Sequence, residues 1–313
     1  MSNGVWTEVD RALPNSWLLA MSPNGNLFVE TMIELFLRQD GKWRNASDGD
    51  FGNVICLAKD HKNRVLAGVG ISDSFPVIRY QDSTWKPILK VKDVQVKALA
   101  AGPQGQVLAL ANQNPSSVYR IKDDSLSVDS LLSKLGSIDA LGFLPSGDLI
   151  LAGELKIGQG EKMYQIVRWD GNTWTSIPKK SFQGIVKQIV HDPVRKRLCV
   201  GGWLSDLAPD YNKRILYSAG CWDGKEWELY PKIPGVDLKA IAFDAKGQLY
   251  AGGDADFFQA VFLWKWDGKT WIKASREFGG YILSLLPMDD GLLVGGSFLT
   301  YDGKYSPYIK FLE

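Results

Sequence analysis

Four charged side chains recur at one position of a repeated apolar run. Lys97, Asp139, Lys187 and Lys239 stand second in VKALA, IDALG, VKQIV and LKAIA, where Leu18, Ile55 and Leu283 occupy the same place in related runs. An ammonium there must reach water or meet a partner, because burying an unpaired charge is very costly. Two readings follow. The lysine stems lie along apolar walls with their heads in water and Asp139 neutralises part of the charge, or the four groups form a polar mouth for a ligand that is itself anionic. A second concentration of chemistry lies in stretches that break the repeat: Trp203, Asp206, Asp210 and Tyr211; Asp254, Asp256, Phe257 and Phe258; Phe298, Tyr301, Asp302 and Tyr305; and a segment from Glu154 to Met163. Insertions gathered on one face of a repeat protein mark its binding face. The candidate ligand-binding set is therefore Lys97, Asp139, Glu154, Lys187, Trp203, Asp206, Lys239, Asp254, Asp256, Phe257 and Tyr301.

No motif assigns catalytic roles to these residues. The two histidines, His61 and His191, fall far apart in turns after apolar runs, and HExxH, Walker, GxSxG and CxxC patterns are absent. Asp48-Gly49-Asp50 and Asp254-Ala255-Asp256 have the short carboxylate spacing of calcium loops without the rest of the ligand set, so turn chemistry explains them and neither metal nor cofactor is expected. Cys56, Cys199 and Cys221 are too few for a disulfide framework; buried thiols are expected, although Cys199 and Cys221 fall on neighbouring strands. Asn45-Ala46-Ser47 matches a glycosylation sequon, a triplet that chance also produces.

The elements that must carry these residues follow from an internal repeat. WDGNTW, WDGKEW and WDGKTW end at Trp174, Trp227 and Trp271, and degenerate copies end at Trp43, Trp85 and Leu126. A period of roughly 40 to 50 residues is that of a four-stranded propeller blade. Each unit resolves into a first strand such as VKALA, a turn such as Pro145-Ser146-Gly147, a second strand such as RLCVGG or QLYAGG, a third strand such as IVRW, and a two-residue Asp-Gly hairpin into the fourth, with positive φ expected at both the Asp and the Gly. Glycines inside the second strand mark places where neighbouring sheets or loops come close. The repeated tryptophans read as filling between sheets, and the third-strand cations Arg38, Arg79, Arg120, Arg168, Lys265 and Lys310 as lying on aromatic faces or pairing with turn aspartates. The last unit, residues 280–313, lacks a fourth strand, and residues 1–9 supply one. The expectation is an all-β, seven-bladed β-propeller forming one domain over 1–313, its ring closed by the N-terminal strand, which removes exposed edges.

The GG…WDGxxW unit resembles the kelch-related repeats of bacterial surface propellers, and the alternation of strand, Gly turn and Trp-ended hairpin resembles tectonin-type lectin propellers. The resemblance spans the chain and implies architecture. DGNTW and DGKTW also resemble the Asp-box hairpins of sialidases, but the leading Ser is missing and the Asp stands directly before the Gly. The arginines belong mostly to the blade repeat rather than to a carboxylate-binding cluster.

With 45% hydrophobic and 23% charged residues the chain can bury a large core. Its 36 Lys and Arg against 35 Asp and Glu leave no excess charge to attract phosphate backbones or anionic lipids, so neither nucleic acid nor membrane is an expected partner. The sequence MSNGVWTEVD has no basic and apolar leader pattern, and the expectation is a monomeric, cytoplasmic protein. The expected function is a binding propeller with one unique site for a small molecule, glycan or peptide on the long-loop face. A metal-independent enzyme working through carboxylate, lysine or tyrosine acid–base chemistry at that face is the alternative. A multivalent lectin ranks behind both, since repeated sites need repeated loop residues.

Overall fold

A computed structural model describes residues 6–8, 16–21, 27–31, 35–40, 42–46, 54–60, 62, 64–70, 76–82, 84–88, 94–112, 117–122, 125–158, 163–177, 182–208, 210–255, 260–305 and 309–312. Among them strands form seven four-stranded antiparallel sheets and a two-stranded one. Among the described residues the helical elements are two short 3-10 turns, Leu132–Lys134 and Tyr211–Lys213. No described helix is long and apolar enough to cross a membrane. The fold is an all-β, seven-bladed propeller.

The chain divides into two compact units. In the unit Ala20–Lys179, blade 1 comprises Ser16–Met21, which begins just before the unit, Leu27–Thr31, Leu35–Gln39 and Lys42–Asn45. Blade 2 comprises Val54–Lys59, Val65–Val69, Val77–Gln81 and Thr84–Pro87; blade 3, Val96–Ala101, Val107–Ala111, Val118–Lys122 and Ser125–Val128. Blade 4 comprises Gly136–Phe143, Leu149–Lys156, Met163–Trp169 and Trp174–Ser176. The second strands of blades 2 and 3 are buried along their whole length, which is why they read as continuous apolar runs. Their neighbours close over them: Val77, Val96 and Tyr119 in one core, Leu108, Ile138 and Val167 in the next.

The other unit, Met1–Leu19 with Lys180–Glu313, holds blades 5 to 7. Blade 5 comprises Gln183–His191, Leu198–Ser205, Leu216–Trp222 and Trp227–Pro231; blade 6, Val236–Phe243, Leu249–Ala255, Trp264–Trp266 and Trp271–Lys273. Blade 7 takes Ile282–Pro287, Leu292–Gly296 and Ile309–Leu312 from the end of the chain and Trp6–Glu8 from its beginning. Trp6 pairs with Leu312 and Glu8 with Lys310, so the N-terminal strand does complete this sheet. Tyr230, Ile241, Phe243 and Trp271 pack between blades 5 and 6, with the Trp271 indole N–H donating to the Pro231 carbonyl at 2.8 Å.

Two local expectations need correction. In WDGNTW, WDGKEW and WDGKTW positive φ belongs to the glycines alone (102° at Gly171, 104° at Gly224, 98° at Gly268). The aspartates instead cap the turn: Asp170 accepts hydrogen bonds from the backbone N–H of Asn172 and Thr173, and Asp223 and Asp267 do the same in their copies. An aspartate at positive φ occurs where the copy is degenerate, at Asp40 and Asp82, and in the Asp302-Gly303 turn of the added two-stranded hairpin. The second correction concerns sulfur. Cys199 and Cys221 are directly paired across the second and third strands of blade 5 and form a disulfide rather than two thiols. Cys56 is a free thiol, and burial pushes it up to about 12, well away from the reactive thiolate.

The repeated cations serve the blades. Arg168 pairs with Asp148 at 2.7 Å, Arg120 with Asp129 at 2.6 Å and Arg79 with Asp60 at 4.0 Å. Lys310 lies 5.2 Å from the ring of Tyr301.

Candidate functional site

The repeat position that carries Lys97, Asp139, Lys187 and Lys239 is a β-bulge. Pairing between first and second strands slips at Val96/Ala98, Ile138/Ala140, Val186/Gln188 and Leu238/Ala240, leaving those four residues unpaired; Ile55 and Leu283 sit at the same slip in blades 2 and 7. A bulge re-aims the extra side chain out of the pleat. The second-strand glycines make room for it. A Cβ on Gly202 would lie 2.1 Å from the Ile185 carbonyl oxygen and 3.0 Å from the Lys187 nitrogen, whereas a Cβ on its neighbour Gly201 would meet Ile241 of blade 6. One glycine serves the approach of neighbouring sheets, as expected, and the other serves the bulge.

In blades 5 and 6 the re-aimed lysines converge on a residue that the sequence reading did not single out, Asp237. Its carboxylate accepts from Lys239 at 2.6 Å, from Lys187 at 3.3 Å and from the Trp203 indole N–H. Lys239 also reaches Asp254 at 3.3 Å, and the Lys187 ammonium lies 3.7 Å from the centre of the Trp203 ring. Burial alone would push the Asp237 carboxyl up, but the hydrogen bonds from Lys239 and Trp203 and the two lysine charges hold it below the usual carboxylate range. Burial likewise works against the Lys239 ammonium, and the bond and charge of Asp237, with the charge of Asp254, raise it above its ordinary value. A carboxylate two residues before a bulge lysine, on the same strand, was the available signal. It was invisible because no other blade has an acid in that place.

Trp203 forms one wall of a cleft of about 490 Å³ at the end of blade 5 where its second and third strands connect. Apolar surface comes from Ile185, Leu204, Leu216, Val236 and Leu238, and polar groups from Gln183, Arg214, Tyr217 and Lys232. Trp203 itself is 53% exposed, too open for a core residue. The insertion 203–214 is folded back on itself: Gln183 donates to the Asp206 carbonyl at 3.2 Å, Asp206 N–H to Ile215, and Arg214 Nε to the Ala208 carbonyl at 2.9 Å.

In the other unit Lys97 donates to the Ile138 carbonyl at 2.7 Å, and Asp139 lies within the electrostatic reach of Lys97 and Glu154. Burial pushes the Asp139 carboxyl up; the Lys97 charge opposes this and the Glu154 charge adds to it. Lys97 thus favours the charged form of Asp139, while Lys187 and Lys239 are met by Asp237 and Lys239 also by Asp254. The remaining candidates have local roles. The Asp206 carboxylate accepts from the Ala208 N–H at 3.3 Å, and Tyr301 packs 5.0 Å from Phe278 while its hydroxyl accepts from the Arg276 N–H. Phe298, expected on the rim, is fully buried against Phe278. Asp256 and Phe257 lie outside the described residues.

No protein-family model matches the chain. The N-acetylneuraminate epimerase of Brucella melitensis biotype 1 is 27% identical over 192 residues, which is 49% of this chain. The match spans about half of that enzyme, 48% of its length. Among solved structures the chain resembles streptogramin B lyase (TM-score 0.67, 12% identity, covering 99% of this chain and 98% of that one). It also resembles the extracellular domain of a one-component system from B. thetaiotaomicron (TM-score 0.65, 11% identity, covering 98% of this chain and 40% of that one). These likenesses establish the propeller fold and nothing of a ligand.

Proposed function

We propose that this chain is a binding propeller with one unique small-molecule site, the cleft of blades 5 and 6 walled by Trp203. The observation that carries the reading is the state of Trp203: a large, half-exposed indole held rigid by Asp237 and Lys187 beside an apolar cleft. Aromatic surface that is exposed yet fixed in place binds a ligand without an ordering cost. The likeness to an enzyme of N-acetylneuraminate supports a glycan-sized ligand. Calorimetric titration with a panel of neutral and acidic monosaccharides, N-acetylneuraminate included, tests the reading. It expects saturable binding that Trp203→Ala removes without lowering the melting temperature by more than about two degrees. Panel-wide silence, or binding untouched by the substitution, would sink it.

The enzymatic alternative draws support from Asp139, since a carboxyl that keeps its proton to higher pH than usual suits general-acid work. Following the epimers of N-acetylneuraminate by NMR with wild type and Asp139→Asn checks it; equal interconversion with and without either protein argues against it. The Cys199–Cys221 disulfide supports an oxidising compartment in place of the cytoplasm, where thiols are kept reduced.

A further inference from the structure

We infer that the cleft of blades 5 and 6 takes a glycoside rather than a free sugar: a sugar ring stacked on Trp203 that carries an apolar aglycone. The inference rests on the binding reading above and names the ligand class of that same site. Exposed apolar side chains gather at one end of blade 5, where Ile185, Trp203, Leu207, Ile215 and Leu216 are each 45–58% exposed, far too open for a core. A lone exposed leucine is ordinary, whereas a cluster of large apolar side chains marks a surface built to be covered. Strand pairing brings these residues together. Ile185 stands directly opposite Trp203, and Leu216 opposite Ser205. The Asp206 N–H donates to the Ile215 carbonyl, which sets Leu207 and Ile215 on the two arms of the insertion just beyond that pair. Ile185, Trp203 and Leu216 line the cleft itself, so its apolar wall runs on into the insertion.

Most polar groups of the cleft are already committed to the protein. Gln183 and Ser205 donate to the Asp206 carbonyl at 3.2 Å and 3.3 Å, Arg214 donates to the Ala208 carbonyl at 2.9 Å, and the Ser218 hydroxyl accepts from the Ile233 N–H at 3.1 Å. The Trp203 indole N–H is taken by Asp237. A sugar ring buried whole among these groups would leave most of its hydroxyls unpaired, and an unpaired buried hydroxyl costs more than a hydrogen bond gains. With the ring stacked by its C–H face on the exposed indole, the hydroxyls keep their water and the apolar walls are left for the rest of the ligand. Size agrees with this division. A cleft of about 490 Å³ lies in the range that encloses a drug-sized molecule, more than one sugar ring fills.

Calorimetric titration of the intact chain with methyl, n-butyl and n-hexyl glycosides of glucose, galactose, N-acetylglucosamine and N-acetylneuraminate tests this, with 1-hexanol as the aglycone alone. For at least one sugar the affinity should rise at least about tenfold from methyl to hexyl, a fraction of what full burial of the added methylenes would give. Leu207→Asn and Ile215→Asn should flatten that rise while leaving the methyl glycoside's affinity and the melting temperature unchanged. Trp203→Ala should weaken the whole series. A methyl glycoside that binds through Trp203 with no gain from the longer chains overturns the aglycone while the binding reading stands. Hexanol binding as tightly as the hexyl glycosides overturns it as well, because the sugar then contributes nothing. Absence of binding by every probe, or binding indifferent to Trp203→Ala, overturns both. Light scattering on the same proteins decides the other occupant: a monomer throughout is expected, and a wild-type dimer that Leu207→Asn and Ile215→Asn separate assigns the apolar surface to a second copy of the chain and overturns the inference.

Discussion

At the scale of single residues, Asp237 decides what Trp203 can do. A depressed carboxylate contributes its stabilisation at every pH above its ordinary value near 3.8 and loses it as pH falls through its own lower one. Lys239, raised, contributes below its ordinary 10.5 and loses that contribution only as pH climbs past its raised value. The Asp237–Lys239 pair is thus charged and intact across the neutral range. The fluorescence that Trp203 contributes, taken as wild type minus Trp203→Phe, should stay flat from about pH 5 to pH 9 and change below about pH 4. Asp237→Asn should abolish that acid transition; a transition that survives in Asp237→Asn places its origin elsewhere.

At the scale of the element, the bulge is the device that turns a strand residue into a site residue. Without the slip at Val186/Gln188, Lys187 would alternate with its neighbours on the pleat. Gly202 is the condition for that slip, since any Cβ there collides with the Ile185 carbonyl. Gly202→Ala should therefore cost at least about 2 kcal/mol in a denaturant titration, as strain at a closely packed backbone does, and should weaken cleft binding with it. Gly201→Ala has the Ile241 side chain at 3.0 Å as its nearest neighbour and no backbone atom closer, and should cost less. Equal costs at both positions would show that the bulge itself imposes no constraint.

At the scale of the whole molecule, the first residues belong to the last sheet. Trp6–Glu8 caps the edge of Ile309–Leu312, whose other side is already paired with Leu292–Gly296. Deleting residues 1–9 bares a row of unpaired N–H and C=O groups, a template for intermolecular pairing. The truncated protein should aggregate or melt earlier, read by light scattering and calorimetry together; an unchanged melting temperature in a monodisperse sample would refute the role of this strand.

Blade number, strand order and the supply of the last blade's fourth strand were legible in the sequence because they rest on short-range signals: apolar runs, Gly turns and Trp-ended hairpins repeated at one period. The position shared by Lys97, Asp139, Lys187 and Lys239 was legible too, as a break in the apolar pattern. What those side chains meet was not, because Lys97 and Lys187 find their partners on the neighbouring blade: Ile138 lies 41 residues from Lys97, and Asp237 lies 50 residues from Lys187 and 34 from Trp203. The disulfide was missed for a related reason, since direct cross-strand pairing of Cys199 with Cys221 is a matter of register, which the intervening insertion hides. A periodic sequence specifies each blade from within. The cleft is made where the period is broken and two blades touch, and contacts between distant segments exist only once the chain has folded.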